Sequence, residues 1–244
     1  MHAFGQILKT ETKLYLRDIP TLVLTVLLPT LVLVVLGLIP TLREPNPDFE
    51  NQSFITYFTP SLLVISLAMV GVNALPTVLA TYRERGILRR LATTPASPLA
   101  LLAAQLVLSL AGILASAVLL AVVARFAFDT PLPQHPLGFA AALILGTAAL
   151  LALGLLVAAV APTAKAAQAM AIPVFMVIMF FGGVYLPRVL LPDFLAEIGA
   201  YTPPGIQALL DAWTGTAPQP LHLGIMAVIA VAAGAGAAKL FRWE

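Results

Sequence analysis

Residues able to do covalent or acid–base chemistry are few and scattered. The histidines are His2, His135 and His222, and there is no cysteine among the 244 residues. Thiolate metal sites and disulfides are therefore excluded. Each histidine reads as a surface residue rather than a metal ligand. No serine sits in a Ser/His/Asp pattern, so nucleophilic hydrolysis lacks its base and its orienting acid. A phosphate-binding loop needs glycines ahead of a Lys followed by Ser or Thr. The one such pair here is Lys9-Thr10, and Leu8 precedes it. Hence we expect no catalytic residue, no metal site and no cofactor held by this chain. If ATP powers the protein, a different chain binds it.

The chemistry left is electrostatic docking. It resides in one run, Tyr82-Arg-Glu-Arg-Gly-Ile-Leu-Arg-Arg-Leu-Ala-Thr-Thr-Pro-Ala-Ser97, which holds four of the thirteen Lys and Arg residues. Its five charges, at roughly 2.5–3.5 kcal/mol each, would cost well over ten kcal/mol at a bilayer centre. On a helix from Arg83 to Leu91, Ile87, Leu88 and Leu91 share one face and Glu84 joins it. Arg83, Arg89 and Arg90 fall on other faces, and Pro95 and Pro98 stop the helix. A short helix with an apolar face, one acid and a basic flank suits a groove on a soluble partner. A bare topology signal needs the charge but not the apolar face, the glycine or the paired prolines.

The elements that must position this run are membrane spans. The chain is 60% hydrophobic and 10% charged, with a mean hydropathy of +0.99, whereas soluble domains carry about 25% charged residues. The net charge of +2 gives no support to nucleic-acid binding. About 20 apolar residues cross a bilayer, and six such segments follow one another: about Pro20–Ile39, Phe54–Thr81, Leu99–Ala124, Leu137–Ala161, Ala166–Leu186 and Leu221–Leu240. Pro29 and Pro76 lie inside spans, where neighbouring helices can satisfy the freed carbonyls. Residues 1–18 read as an amphipathic interfacial helix, with Phe4, Ile7, Leu8, Leu14 and Tyr15 near one face and Lys9, Lys13 and Arg17 elsewhere. Charges at Lys9, Glu11, Lys13, Arg17 and Asp18 stand where a cleavable signal would have its apolar run. The fold class expected is an all-α integral membrane protein, with residues 19–244 as a six-helix domain.

Basic residues set the orientation. With the N terminus in the cytoplasm, ten bases lie inside (Lys9, Lys13, Arg17, Arg83, Arg85, Arg89, Arg90, Lys165, Lys239, Arg242) and three outside (Arg43, Arg125, Arg188). Six spans return the C terminus to the cytoplasm. Thr41–Ser53 and Arg125–Pro136 read as extended outer loops. The last outer region, residues 187–220, is broken by Pro192 and by Pro203-Pro204 into two short apolar helices, read as re-entrant or interfacial. In the sixth span, Gly234-Ala-Gly-Ala-Ala238 reads as a small-residue helix contact. The spans hold hardly any ionisable residue and offer Asn73, Gln105 and Gln168 instead. Ion-coupled transport normally uses charged residues in the membrane, so a secondary transporter or channel is the weaker reading, as is a non-transporting membrane scaffold or embedded enzyme.

The charged run, with Thr93-Thr-Pro95 after it, resembles the segment that closes the second span in permease subunits of ABC-2 type ABC exporters, the group that includes daunorubicin-type multidrug exporters. Glu84, Gly86, Leu91 and Pro95 match that pattern position by position. Gly182-Gly-Val-Tyr-Leu-Pro187, Leu191-Pro-Asp-Phe-Leu195 and Thr202-Pro-Pro-Gly205 are similar to that group's Gly-rich fifth-span end and outer helices. Ala161-Pro-Thr-Ala-Lys-Ala-Ala-Gln168 resembles its short cytoplasmic turn. The resemblance covers nearly the whole chain and departs after Pro204, where Asp211-Ala-Trp213 stands in the region that an Arg often closes. It implies that residues 82–98 form a coupling helix, with Glu84, Arg85, Gly86, Ile87, Leu88, Arg89, Arg90 and Leu91 touching a separate ABC ATPase subunit that binds ATP and Mg. The N-terminal helix would be a second contact. It further implies a second permease copy, identical or related, in the cytoplasmic membrane. A path between the second and fifth spans of the two copies would be lined by Ser66, Asn73, Phe175, Met179 and Phe180. The cargo implied is an amphiphilic or lipid-like drug, lipid or glycan moving outward.

Overall fold

The computed structural model describes residues 2–49, 51–92 and 98–240. Thr93, Thr94 and Pro95 of the charged run, together with Glu50 and Arg242, lie outside the described residues. The chain is all-α, and six of its helices are long and apolar enough to cross a membrane. They are Ile19–Gly37, Phe54–Glu84, Leu99–Phe128, Pro136–Val160, Ala164–Phe181 and Pro220–Leu240, the first to sixth spans. The N-terminal helix His2–Arg17 packs against the third span.

The second span is the central element. Of its apolar window 72% is buried, against 22% for the first, fifth and sixth spans. Its 31 residues make a rod of about 46 Å at 1.5 Å per residue. That exceeds the ~30 Å hydrocarbon core, so the span carries its last turn, Tyr82 to Glu84, out of the apolar layer. Ser53 caps its start, the hydroxyl oxygen accepting from the Thr56 N–H at 3.2 Å. Leu62, Val64, Leu67, Leu75 and Leu79 form its buried face, with Leu150 of the fourth span packed in the same core.

Two prolines reshape the helices that contain them. Pro29 follows a π-helical segment, Val23–Leu27, and Pro76 follows another, Met69–Ala74. Proline lacks an N–H and its ring crowds the carbonyl four residues back. Widening the preceding turn to a π segment relieves that clash. The two segments face each other, and the first span is tied on here by Ser66, whose hydroxyl donates to the Thr25 carbonyl at 2.5 Å.

Close helix approach relies on glycine. A Cβ on Gly154 would overlap the Gly71 carbonyl oxygen where the fourth and second spans cross. Lipid offers no hydrophobic drive between spans, so small residues that let backbones meet carry such contacts. The sixth span lies along the fourth, burying Ala233 and Ala237 and setting Gly236 against Leu156. The expected small-residue contact is therefore present, although Gly234 itself faces open space.

The differences from expectation are local. The fifth span stops at Phe181 rather than Leu186, because Gly182 and Gly183 turn the chain and Gly183 takes φ +75°. The 41–53 connection is not simply extended. It folds into short 3-10 turns and an antiparallel pairing of Pro45–Asn46 with Gln52–Ser53. His222 is 4% exposed, not on the surface, and stacks edge-on to Tyr201 with ring centroids 5.3 Å apart. His135 caps the fourth span, its Nδ1 accepting from the Gly138 N–H at 3.1 Å.

At the end of the bundle opposite the N-terminal helix, Asp193–Ala200 and Ile206–Thr214 form a helical hairpin. The second hairpin helix is wedged against the second and fourth spans, with Trp213 edge-on to Phe139 at 5.5 Å. Arg188 fastens the hairpin, donating from Nη2 to the Ala196 carbonyl and to Gln207 Oε1, both at 2.9 Å. Burial pushes its guanidinium pKa below the ordinary value, against the raising influence of Tyr57 and Asp211.

Candidate functional site

The charged run does not form one helix. The second span continues through Glu84, Arg85 and Gly86 turn, and a new helix runs Ile87–Ala92. Gly86 takes φ +68°, a left-handed conformation open to glycine and costly for a residue with a Cβ. The Gly86 N–H donates to the Arg83 carbonyl at 2.9 Å, and the Arg90 N–H to the Gly86 carbonyl at 3.1 Å. The expected helix from Arg83 to Leu91 is thus corrected to two helices joined at a glycine.

That break reassigns the faces. Leu88 is 1% exposed and belongs to the chain's own packing, so the expectation that it is offered to a partner is corrected. Ile87 and Leu91 are half-buried, while Arg85, Arg89 and Arg90 are exposed. Glu84 is exposed but engaged: its Oε2 accepts from the Ala164 N–H at 3.2 Å, at the start of the fifth span. Thr163 caps the same end, its hydroxyl accepting from the Ala166 N–H at 3.1 Å. Glu84 therefore caps a neighbouring span rather than joining an apolar face.

The residues just before the break do as much. Tyr82 donates its hydroxyl proton to Glu11 of the N-terminal helix at 2.7 Å. Arg83 donates to the Ala159 carbonyl at 3.5 Å and to the Ala161 carbonyl, at the end of the fourth span. Three consecutive side chains thus reach three different elements. Glu11 accepts a second bond, from Gln105 Nε2 of the third span at 2.6 Å, and is 8% exposed. A buried carboxylate is tolerated when donors surround it.

Sequence reasoning passed over Glu11, though a signal was present. Positions 4, 7, 8, 11, 14 and 15 share the apolar face of the N-terminal helix, so Glu11 is an acid on a face turned toward the spans. Gln105 stood out as one of few polar intramembrane residues. Nothing local, however, joined either of them to Tyr82.

The residues expected to line a path separate into two groups. Ser66 is 1% exposed with its hydroxyl bonded to the first span, and Met179 is 2% exposed in the core. Both belong to internal packing, which corrects the expectation for these two. The fifth span turns Ile172, Met176 and Val177 outward instead, with Phe175 and Phe180 half-buried beside them. Asn73 does face open space. It lines a cavity of about 560 Å³ between the first, second and fifth spans, with Thr77 and Gln168. Among the described residues, no group of three or more His, Cys, Asp or Glu side chains could hold a metal ion.

A family model described as ABC-2 type transporter matches residues 2–204. No curated protein and no solved structure matches the chain.

Proposed function

This chain belongs to the ABC-2 type transporter family, and from that premise we propose that it is the permease subunit of an ATP-driven exporter. The ATPase is a separate subunit that binds ATP and Mg, and a second permease copy completes the pathway. The complex sits in the cytoplasmic membrane with both termini on the cytoplasmic side, as the ten-to-three distribution of bases favours. The cargo is an amphiphile or lipid-like molecule, a drug, lipid or glycan, moved along the outward face of the fifth span.

One observation carries the coupling reading. The basic turn keeps Arg85 and Arg89 exposed, while Tyr82, Arg83 and Glu84 bolt its root to the N-terminal helix, the fourth span and the fifth span. A partner pulling on the turn therefore moves several spans together. ATP can favour one state of the permease only through a difference in binding between states, and this root is where such a difference can be transmitted. The apolar contribution to docking is smaller than Leu88 would have made it, and the arginines carry more.

The test is ATPase co-purification from the native membrane under gentle extraction, with turnover measured on the complex. Parent protein is expected to bring down an ATPase. Arg85→Glu with Arg89→Glu should release it, whereas Glu84→Ala should leave it bound with turnover uncoupled from transport. Absence of an ATPase with the parent, or full retention and coupling in the double reversal, would overturn the reading.

A further inference from the structure

The exporter reading leaves the charge of the cargo open, and the following inference rests on that reading. The two π-helical segments, Val23–Leu27 and Met69–Ala74, flank the cavity of about 560 Å³, to which they contribute Leu24, Met69 and Asn73. Single-turn π segments recur at functional sites because they re-aim side chains at the cost of regular helix bonding. Here each segment ends two residues before a proline, and both contribute lining to the same space.

Among the described residues the charge lining that space has one sign. Asp18 lines it with an exposed carboxylate, and the other polar side chains there, from Thr21 and Thr25 through Asn73, Thr77, Thr81 and Tyr82 to Gln168, are neutral. A second cavity of about 130 Å³, beneath the N-terminal helix, shares Asp18, Thr21 and Thr25 with the first and ends at Glu11. Among the described residues no lysine or arginine lines either cavity, although Arg17 is the residue next to Asp18 in the chain. Low-dielectric walls around a site of one sign focus its field. Asp18 accepts from the Thr21 hydroxyl at 2.6 Å and from the Thr21 N–H at 3.3 Å, which fixes the carboxylate while its exposed surface stays accessible.

We propose that this cavity binds a cationic amphiphile, the cation against Asp18 and the apolar body between the two π segments. The neutral amides and hydroxyls inside can donate or accept and so favour neither sign; the preference for a cation comes from Asp18.

Tetraphenylphosphonium and tetraphenylborate have the same shape and opposite charge, so they separate this proposal from simple partition into lipid. Binding of each is measured by equilibrium dialysis on the complex in nanodiscs, against empty nanodiscs. Saturable tetraphenylphosphonium binding is expected, with no saturable tetraphenylborate binding. Asp18→Asn should weaken the cation about tenfold, which corresponds to about 1.4 kcal/mol. Asparagine and serine remain good helix caps, so Asp18→Asn and Asp18→Ser both keep the first span started and should agree. Equal saturation by the two ions, or cation affinity unchanged in both variants, would overturn the proposal. ATPase association is read on the same samples. Asp18-dependent cation binding without any ATPase would sink the exporter reading and leave the cation site standing. An associated ATPase with charge-blind binding would sink the cation site alone.

Discussion

Removing the Glu11 carboxylate tests the joint at its root. Glu11 accepts from Tyr82 at 2.7 Å and from Gln105 at 2.6 Å, and it is 8% exposed. Hydrogen bonds to charged groups contribute about 1.5–3 kcal/mol each, and an abandoned buried donor costs its desolvation as well. In Glu11→Ala both donors lose their acceptor. Tyr82 borders two cavities, so water can rehydrate its hydroxyl, and the loss falls at the lower end, about 3 kcal/mol. For a protein of this size each kcal/mol moves the melting temperature by about 2–4 °C, so Glu11→Ala should melt about 6–12 °C lower. Glu11→Gln keeps an acceptor in place and should lose less than half as much. The specific bond is isolated by a double-mutant cycle of Glu11→Ala with Tyr82→Phe, for which a coupling of about 1–2 kcal/mol is expected. Agreement with additivity to within about 0.3 kcal/mol, the usual result for independent sites, would refute the claim that this bond holds the N-terminal helix to the second span.

Two further substitutions probe the turn and the opposite end. Gly86→Val places a β-branched side chain at φ +68°, at a cost of about 1–2 kcal/mol; it should lower the melting temperature by about 2–8 °C while reducing ATPase co-purification, because the space around Gly86 is open and the damage is to the direction of the turn. Arg188→Met removes the bonds to Ala196 and Gln207 and should cost about 2–3 kcal/mol. Hydrogen exchange should quicken across Asp193–Thr214 and stay unchanged in the second span.

What could be read ahead of the structure follows from which signals are local. Six spans were legible because apolar length is local and the hydrocarbon thickness sets its scale. The end of the second span was misplaced because hydropathy marks where lipid ends, not where the helix ends. Tyr82, Arg83 and Glu84 are too polar for lipid and still helical. Gly86 was noticed within the charged run, yet helical periodicity treats a glycine as a weak helix former. Its φ of +68° and the burial of Leu88 just beyond it are both set by tertiary packing, which the local pattern does not carry. For the same reason Met179 was placed on the path although it is buried in the core. Met179 and Met176 are equally apolar, and only packing against the second span decides which is buried.

The bonds at the turn also bear on the two explanations of its charge. A topology signal needs positive residues on one side of the membrane and is indifferent to their partners. Arg83 would serve as such a signal anywhere in the loop, but it donates to carbonyls that close the fourth span. Glu84 weakens a positive-inside signal, yet it stands where the fifth span begins and caps its N–H end, the end at which a helix favours an anion. Tyr82 carries no charge at all and reaches Glu11. Beyond them, Gly86 redirects the chain, so the arginines that follow are exposed on a short helix whose Leu88 is packed into the bundle. An anchored root followed by a redirected helix with outward arginines is the order that the proposed coupling would use, and charge bias alone gives no reason for it.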